Sequence, residues 1–283
     1  MYVISGAGGH LGRLVVAGLL ERVPAERIVA ATRNPDSVAD LAARGVQVRV
    51  ADFDEPDTLP AAFDGAERLL LISTDGFPRR VAQHKTAVEA AASAGVGHLS
   101  YTSVLRAAST HLRLAADHKA TEEIIAASGL PHTFLRNSWY TEMYEQRARQ
   151  GAESGVIIGS AGTGRVASAA RADYAAAAVA VLTLDGTPEP VYELSGDTAW
   201  SFPELAAATS RVTGREVTYQ DLSPAEHRKA LRDSGLPEPA ADIVAGIDSD
   251  IAGGALDGTS GHLRALIGRP TTPLADTLAE LLR

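Results

Sequence analysis

The chain has no cysteine, which excludes disulfides, thiolate nucleophiles and cysteine-ligated metal together. No apolar run approaches the roughly 18 residues that a membrane span needs. Nor does a charged leader precede the first strand-like segment, so a cytoplasmic protein without a membrane span is expected. Basic runs are absent too: Asp and Glu outnumber Lys and Arg by 35 to 26, for a net charge of −9. Binding to a phosphate backbone needs clustered cations, so nucleic acid is not an expected partner. The 8 histidines are scattered without ligand spacing or acidic company, which leaves no metal set, and there is no internal repeat.

What is present begins at the first residue. Tyr2–Ser5 reads as a buried strand, Gly6-Ala7-Gly8-Gly9-His10-Leu11-Gly12 as a glycine turn, and the apolar stretch through Leu20 as a helix. A pyrophosphate leaves no room for side chains where the chain passes beneath it. Gly6 and Gly9 would allow close approach and positive φ, and Gly12 would let the helix lie on the strand. The free N–H groups and the positive end of the helix dipole would then face the phosphates. The alternative is a tight structural turn.

The second strand decides which nucleotide. An NAD site needs an acid about 20 residues past the glycines to hold the ribose 2′-hydroxyl. Here the strand Arg27–Thr32 ends in Arg33-Asn34-Pro35. A guanidinium at that point can pair with a 2′-phosphate and stack on adenine, so NADP(H) is the expected cofactor. The alternative for Arg33 is a solvated loop charge.

Strand-length apolar runs at Tyr2–Ser5, Arg27–Thr32, Val46–Ala51, Arg68–Ser73, His98–Ser103 and His132–Arg136 alternate with helical segments. That rhythm implies an α/β fold, a doubly wound parallel sheet of the Rossmann type. Beyond about residue 150 it breaks into a loop at Ser160–Gly164, an alanine-rich helix at Ala169–Leu184 and a strand at Val191–Ser195. Helices at Phe202–Thr213, Pro224–Ser234 and Leu274–Arg283, and a strand near Glu216–Asp221, complete the reading. Residues 1–150 are expected to form the NADP-binding Rossmann domain. Residues 151–283 would form a smaller α/β substrate-covering lobe, with 165–195 returning to the Rossmann core.

In open α/β sheets ligands lie at the carboxyl ends of the strands. Those ends carry Gly6–Gly12, Arg33, Asp52, Ser73-Thr74-Asp75, Thr102-Ser103 and Asn137-Ser138-Trp139-Tyr140. The Gly-x-x-Gly-x-x-Gly spacing of Gly6, Gly9 and Gly12 resembles that of the short-chain dehydrogenase/reductase superfamily, in whose pattern a Ser after strand five orients a substrate oxygen and Tyr-x-x-x-Lys on the next helix supplies the proton. Ser103 fits the first role. The helix around Leu114–Glu123 has no Tyr, and His118 stands over the Lys, with Glu122 one turn on. His118 is either a group near the nicotinamide ribose or a helix-face histidine paired to Glu122. Lys119 lies about 100° around the helix and reads as a solvated charge. Reducing a ketone builds a strongly basic alkoxide and calls for a positioned acid. A hydroquinone anion is far less basic, so the missing Tyr suits an acceptor that needs orientation more than acid.

Several motifs together resemble the NmrA-like atypical short-chain reductases, and among them are similar to the bacterial type 2 NAD(P)H:quinone oxidoreductases and the triphenylmethane reductases. They are Gly6-x-x-Gly9-x-Leu11-Gly12, Arg33-Asn34-Pro35, Leu69–Ser73, Tyr101-Thr102-Ser103, His118-x-x-Thr121-Glu122 and Leu135-Arg136-Asn137-x-Trp139-Tyr140-x-Glu142. Ala167–Tyr174, Tyr192–Trp200 and Ile267–Thr272 extend the match over almost the whole chain. The resemblance implies a two-electron reductase that uses NADPH without flavin and acts on a small quinone-like molecule. It also implies that the glycine loop, Arg33, Ser73-Thr74-Asp75 and Asn137–Tyr140 line the nucleotide. Tyr140 and Met143 would border the substrate. Met143 stands where those reductases have Asn, which leaves a polar contact to substrate open at that point. Trp139 and Tyr140 read as a wall beside the nicotinamide, with core packing as the alternative. Two other functions stay open: a non-catalytic NADP(H)-sensing regulator, and a reductase of triarylmethane-type dyes.

Overall fold

The computed structural model describes residues 1–76 and 78–283. Its first strands are β1 (Tyr2–Ser5), β2 (Ile28–Thr32), β3 (Gln47–Val50), β4 (Arg68–Leu71), β5 (Leu99–Val104) and β6 (His132–Asn137). Between them run helices α1 (His10–Leu19), α2 (Ala39–Ala43), α3 (Leu59–Phe63), α4 (Arg80–Ser93) and α5 (Ala115–Ala127). Helix α6 (Glu145–Ser154), β7 (Val156–Gly159), β8 (Arg165–Val166) and α7 (Arg171–Leu182) follow. Then β9 (Val191–Leu194) returns to the sheet. The seven-stranded parallel sheet has the order β3-β2-β1-β4-β5-β6-β9. It is the doubly wound α/β arrangement expected, with every apolar run landing on a strand to within a few residues.

Both faces of the sheet are covered, which is why its strands read as unbroken apolar runs. Alternate residues Val3, Val29, Leu69, Leu71, Leu99 and Tyr101 join Leu59, Phe63, Val88, Ala91 and Ile125 in one cluster. Ile4, Ala30 and Leu70 point the other way and are equally buried. Helices α1 and α7 pack against each other, and a Cβ at Gly18 would lie 3.1 Å from Val179, so the small residues of this pair set a close approach.

The chain forms two compact units. The first comprises Met1–Ala108, Ala116–Asn137 and Arg171–Glu193. The division expected after residue 150 thus falls after Asn137, where β6 ends, and the returning segment is 171–193 instead of 165–195. The second unit comprises Ser109–Ala115, Ser138–Ala170 and Leu194–Arg283. Within it β7 pairs in parallel with β11 (Thr218–Asp221), and β8 pairs antiparallel with β10 (Trp200–Ser201). Its helices are α6, α8 (Phe202–Thr213), α9 (Pro224–Asp233), α10 (Glu238–Ala252), α11 (His262–Ile267) and α12 (Leu274–Leu281). Among the described residues no helix is long and apolar enough to cross a membrane.

Candidate functional site

The strand order places a topological switch between β1 and β4, since the chain winds from β1 to β2 on one side and reaches β4 on the other. A ligand crevice opens at such a point. The glycine turn lies at its edge. Gly6 has φ +64°, and a Cβ at Gly12 would sit 2.3 Å from the Gly6 carbonyl oxygen, so neither position accepts a side chain. Gly9 departs from expectation: its φ is −80°, an extended conformation open to any residue. A Cβ there would stand 3.3 Å from Gly6 O, so neither the backbone angle nor the protein's own packing demands glycine.

The amides of this turn divide into two groups. Ala7 is fully buried and its N–H is committed to Ala31 O (3.2 Å), while the Gly9 N–H bonds Gly6 O (2.9 Å). Among the described residues, the N–H groups of Gly8, His10, Leu11 and Gly12 have no backbone partner. Helix α1 has no side-chain cap and no acid in its first turn. By contrast α8 and α9 are closed by Ser201–Glu204 and Ser223–Glu226 capping boxes. Four amides without a backbone partner at an uncapped helix start, with no acid in the first turn, fit a pyrophosphate. Leu11 contributes packing, being buried on the helix's inner face.

Arg33 follows β2, is exposed, and makes no hydrogen bond or ion pair among the described residues. The turn after it is tied down without it: Asn34 Oδ1 accepts from Asp36 N–H (3.1 Å), Ser37 Oγ donates to Asn34 O (2.6 Å), and Arg13 bonds Asp40 and the Ser37 carbonyl. Arg33 is thereby left as an available guanidinium on a rigid turn. Asp52, after β3, is folded into its own loop, its Oδ1 accepting from Asp54 N–H (2.9 Å) and its N–H going to Thr58 Oγ1 (3.0 Å).

Beyond β4 the backbone leaves the sheet, and side chains take its amides in turn. Ser5 Oγ accepts from Ile72 N–H (2.9 Å), Thr102 Oγ1 from Ser73 N–H (2.8 Å) and His84 Nε2 from Thr74 N–H (3.1 Å). Asp75 is exposed at the tip.

Ser103 and His118 are placed close together but partnered differently from expectation. Ser103 Oγ donates to Glu122 Oε1 (2.6 Å), so its proton is committed and it can offer a ligand only lone pairs. Glu122 receives a bidentate fork from Arg136, Nε to Oε1 (2.9 Å) and Nη2 to Oε2 (2.7 Å). Arg136 also reaches Glu193 on β9 (2.8 Å), and these carboxylates hold its guanidinium pKa above the usual range. The pairing of His118 with Glu122 is therefore not made. His118 Nδ1 instead lies 2.9 Å from the Tyr101 hydroxyl. Burial, with help from Arg80, lowers the His118 pKa to about 3, so the ring is neutral at ordinary pH. A charged residue inside a buried strand demands a partner, and Arg136 was the signal from which this network could have been read.

In the second unit, Ser138 donates its N–H to Leu194 O (2.7 Å), and its buried hydroxyl finds no partner among the described residues. Trp139 and Tyr140 are half-buried and run beside Ala169, which bonds Trp139 O and bridges Tyr140. Met143 is exposed (55%). Asn137, the last residue of β6, is buried and its carbonyl takes Leu105 N–H (2.9 Å). The same unit holds a buried Ser160, His227 and Asp248 that superficially suggest a hydrolytic triad. Both Ser160 Oγ (3.0 Å) and Asp248 Oδ2 (3.4 Å) approach the same ring nitrogen, Nδ1. A triad needs them on opposite nitrogens, and Asp248 is already braced by Arg147 and Ser160 N–H. The cluster is a structural brace.

A family model described as NAD(P)H-binding matches residues 6–185. Quinone oxidoreductase 2 of Escherichia coli (strain K12) is 46% identical over 281 residues, 99% of this chain and 98% of the relative. The crystal structure of the NADPH-dependent quinone oxidoreductase QOR2 of Escherichia coli in complex with NADPH superposes with a TM-score of 0.97 at 45% identity, covering 100% of both chains. That of the Citrobacter sp. triphenylmethane reductase with NADP(H) gives a TM-score of 0.95 at 40% identity, covering 99% of this chain and 100% of the other. The unpartnered amides, the uncapped first helix and these full-length likenesses agree: the chain belongs to the NAD(P)H-binding family, as an NmrA-like atypical short-chain reductase.

Proposed function

We propose that this chain reduces a quinone, or a similarly flat conjugated acceptor, by two electrons with NADPH and without flavin. The observation that carries this reading is the combination of four amides without a backbone partner at the start of α1 with an uncommitted Arg33, in a chain 46% identical to a quinone oxidoreductase. The Gly8–Gly12 amides would hold the pyrophosphate, Arg33 the 2′-phosphate, and Ser73–Asp75 and Asn137–Tyr140 the remainder. When bound, NADPH supplies the hydride. The chain's residues orient the acceptor, and solvent supplies the proton that completes the hydroquinone. Tyr140 and Met143 border the acceptor in this reading. Purified protein mixed with NADPH and a benzoquinone should deplete the nicotinamide absorbance above a no-enzyme control. A triarylmethane dye run in parallel tests the acceptor suggested by the Citrobacter relative. Tight NADPH binding without turnover of either would favour a sensor.

Arg33→Ala should weaken NADPH by about 1.5–3 kcal/mol, the worth of a charge-assisted pair, and leave NADH affinity unchanged. Fluorescence titration with both dinucleotides reads this directly, and equal weakening of the two would remove the 2′-phosphate role.

In this reading His118, whose pKa burial lowers to about 3, is not an imidazolium acid. A histidine acid would make the rate fall as pH rises through its pKa, whereas a group held near 3 gives no such titration between about pH 5 and 8. His118→Ala should lower kcat by no more than about tenfold, well short of the 10²–10⁴-fold typical of losing a general acid, and raise KM for NADPH. A drop of about 10³-fold at constant KM would make His118 the proton donor instead.

A further inference from the structure

The amide of Thr74 is not the only part of that residue under control from α4. Three side chains one turn apart on the helix, at i, i+3 and i+4, take every polar atom of Thr74. Arg80 Nε donates to its carbonyl (2.7 Å), its hydroxyl donates to Gln83 Oε1 (2.9 Å), and its N–H donates to His84 Nε2 (3.1 Å). All three side chains are buried, His84 completely. Gln83 is oriented in turn by Asp54, to which its Nε2 donates (3.0 and 3.1 Å). A Cβ at Gly76 would meet Gln83 Oε1 at 2.4 Å, so the loop also leaves the space that Gln83 fills.

The hydrogen-bond logic fixes the histidine. A backbone N–H can only donate, so His84 Nε2 must be unprotonated and the ring proton sits on Nδ1. That proton faces Thr121 Oγ1 at 2.9 Å, and the Thr121 hydroxyl is free to accept because it donates to Asp117 O (2.8 Å). His84 thus links the loop after β4 to α5 in a single tautomer. Nothing in this arrangement serves to bury apolar surface. Three buried polar side chains converge on one residue of a loop that the strand order places beside the switch point.

We propose that His84, supported by Gln83 and Arg80, is a positioning residue that sets the shape of the Ser73–Asp75 rim and through it the affinity for the nicotinamide dinucleotide. This rests on the dinucleotide reading of the crevice and adds to it residues that touch no ligand themselves. The clamp acts on binding and leaves hydride transfer in the loaded site alone.

The experiment compares His84→Leu, which removes the acceptor, with His84→Gln, whose Oε1 can accept the same N–H. Three readouts are taken: NADPH affinity by fluorescence titration, hydrogen exchange across residues 72–76, and kcat at saturating NADPH. His84→Leu should raise the NADPH Kd by about tenfold or more, as expected for an orphaned buried amide, and speed exchange at Thr74 by a similar factor. His84→Gln should stay within about threefold of the parent in both, and kcat should change little in either variant. A folded His84→Leu protein with parental Kd and parental exchange overturns the proposal, as does failure of His84→Gln to restore either quantity. Should His84→Leu not fold, Gln83→Leu removes the tie to the Thr74 hydroxyl while keeping the histidine, and must weaken NADPH and loosen the same amides. If the parent itself does not bind NADPH, the dinucleotide reading fails, while the exchange measurement still judges the clamp.

Discussion

Gly9→Val is expected to yield a folded protein that has lost dinucleotide binding, with the NADPH Kd raised at least about a hundredfold. The backbone at Gly9 is extended (φ −80°, ψ 167°), a region that valine favours, so the turn itself survives. A Cβ there would stand 3.3 Å from Gly6 O, tight but accommodated by a small shift. The branched side chain would nevertheless occupy the approach to the open amides of His10, Leu11 and Gly12. Two or more charge-assisted bonds at about 1.5–3 kcal/mol each would be lost. Gly12→Ala is the contrasting control, since its Cβ would collide with Gly6 O at 2.3 Å and disturb the helix start as well. A thermal melt beside a fluorescence titration separates the two variants. Parental NADPH affinity in folded Gly9→Val would make the turn merely structural.

The largest stability effect is expected at Arg136. Its guanidinium holds Glu122, whose side chain is only 8% exposed, and replacing it with Met leaves that carboxylate buried without a cation. Removing one partner of such a pair costs about 3–5 kcal/mol. Urea unfolding of Arg136→Met near neutral pH should show this loss, and the double variant Arg136→Met/Glu122→Gln should recover part of it because no uncompensated charge remains. A loss under about 1 kcal/mol would mean that water reaches Glu122 and that the network is peripheral.

The strands of the first unit were legible because parallel strands covered on both faces must be apolar throughout, and Val3-Ile4 or Leu69-Leu70-Leu71 can be little else. The glycine turn itself was legible for a similar reason: only glycine satisfies the contact at Gly12. The clamp on Thr74 was not. Arg80, Gln83 and His84 are polar, and a polar face on a helix ordinarily means solvent, whereas here it is turned inward by three hydrogen bonds that no local pattern announces. Helix α6 escaped for the opposite reason, since it buries only Ala148 and Gly151 and has almost no apolar stripe to detect. The positive φ expected at Gly9 is absent because Gly6, at φ +64°, makes the turn and leaves Gly9 extended.

The interleaving of the two units sets a schedule for biosynthesis. Helix α1 leaves the ribosome about 150 residues ahead of its partner α7 (Arg171–Leu182). Until that partner emerges, the apolar ridge of Leu11, Val15, Val16 and Leu19 lacks part of its cover. The sheet likewise gains its last strand, and Arg136 its second carboxylate, only with Val191–Leu194. A nascent chain therefore displays α1 well before the helix and strand that complete the first unit, and partly covered apolar surface of this kind invites chaperone contact.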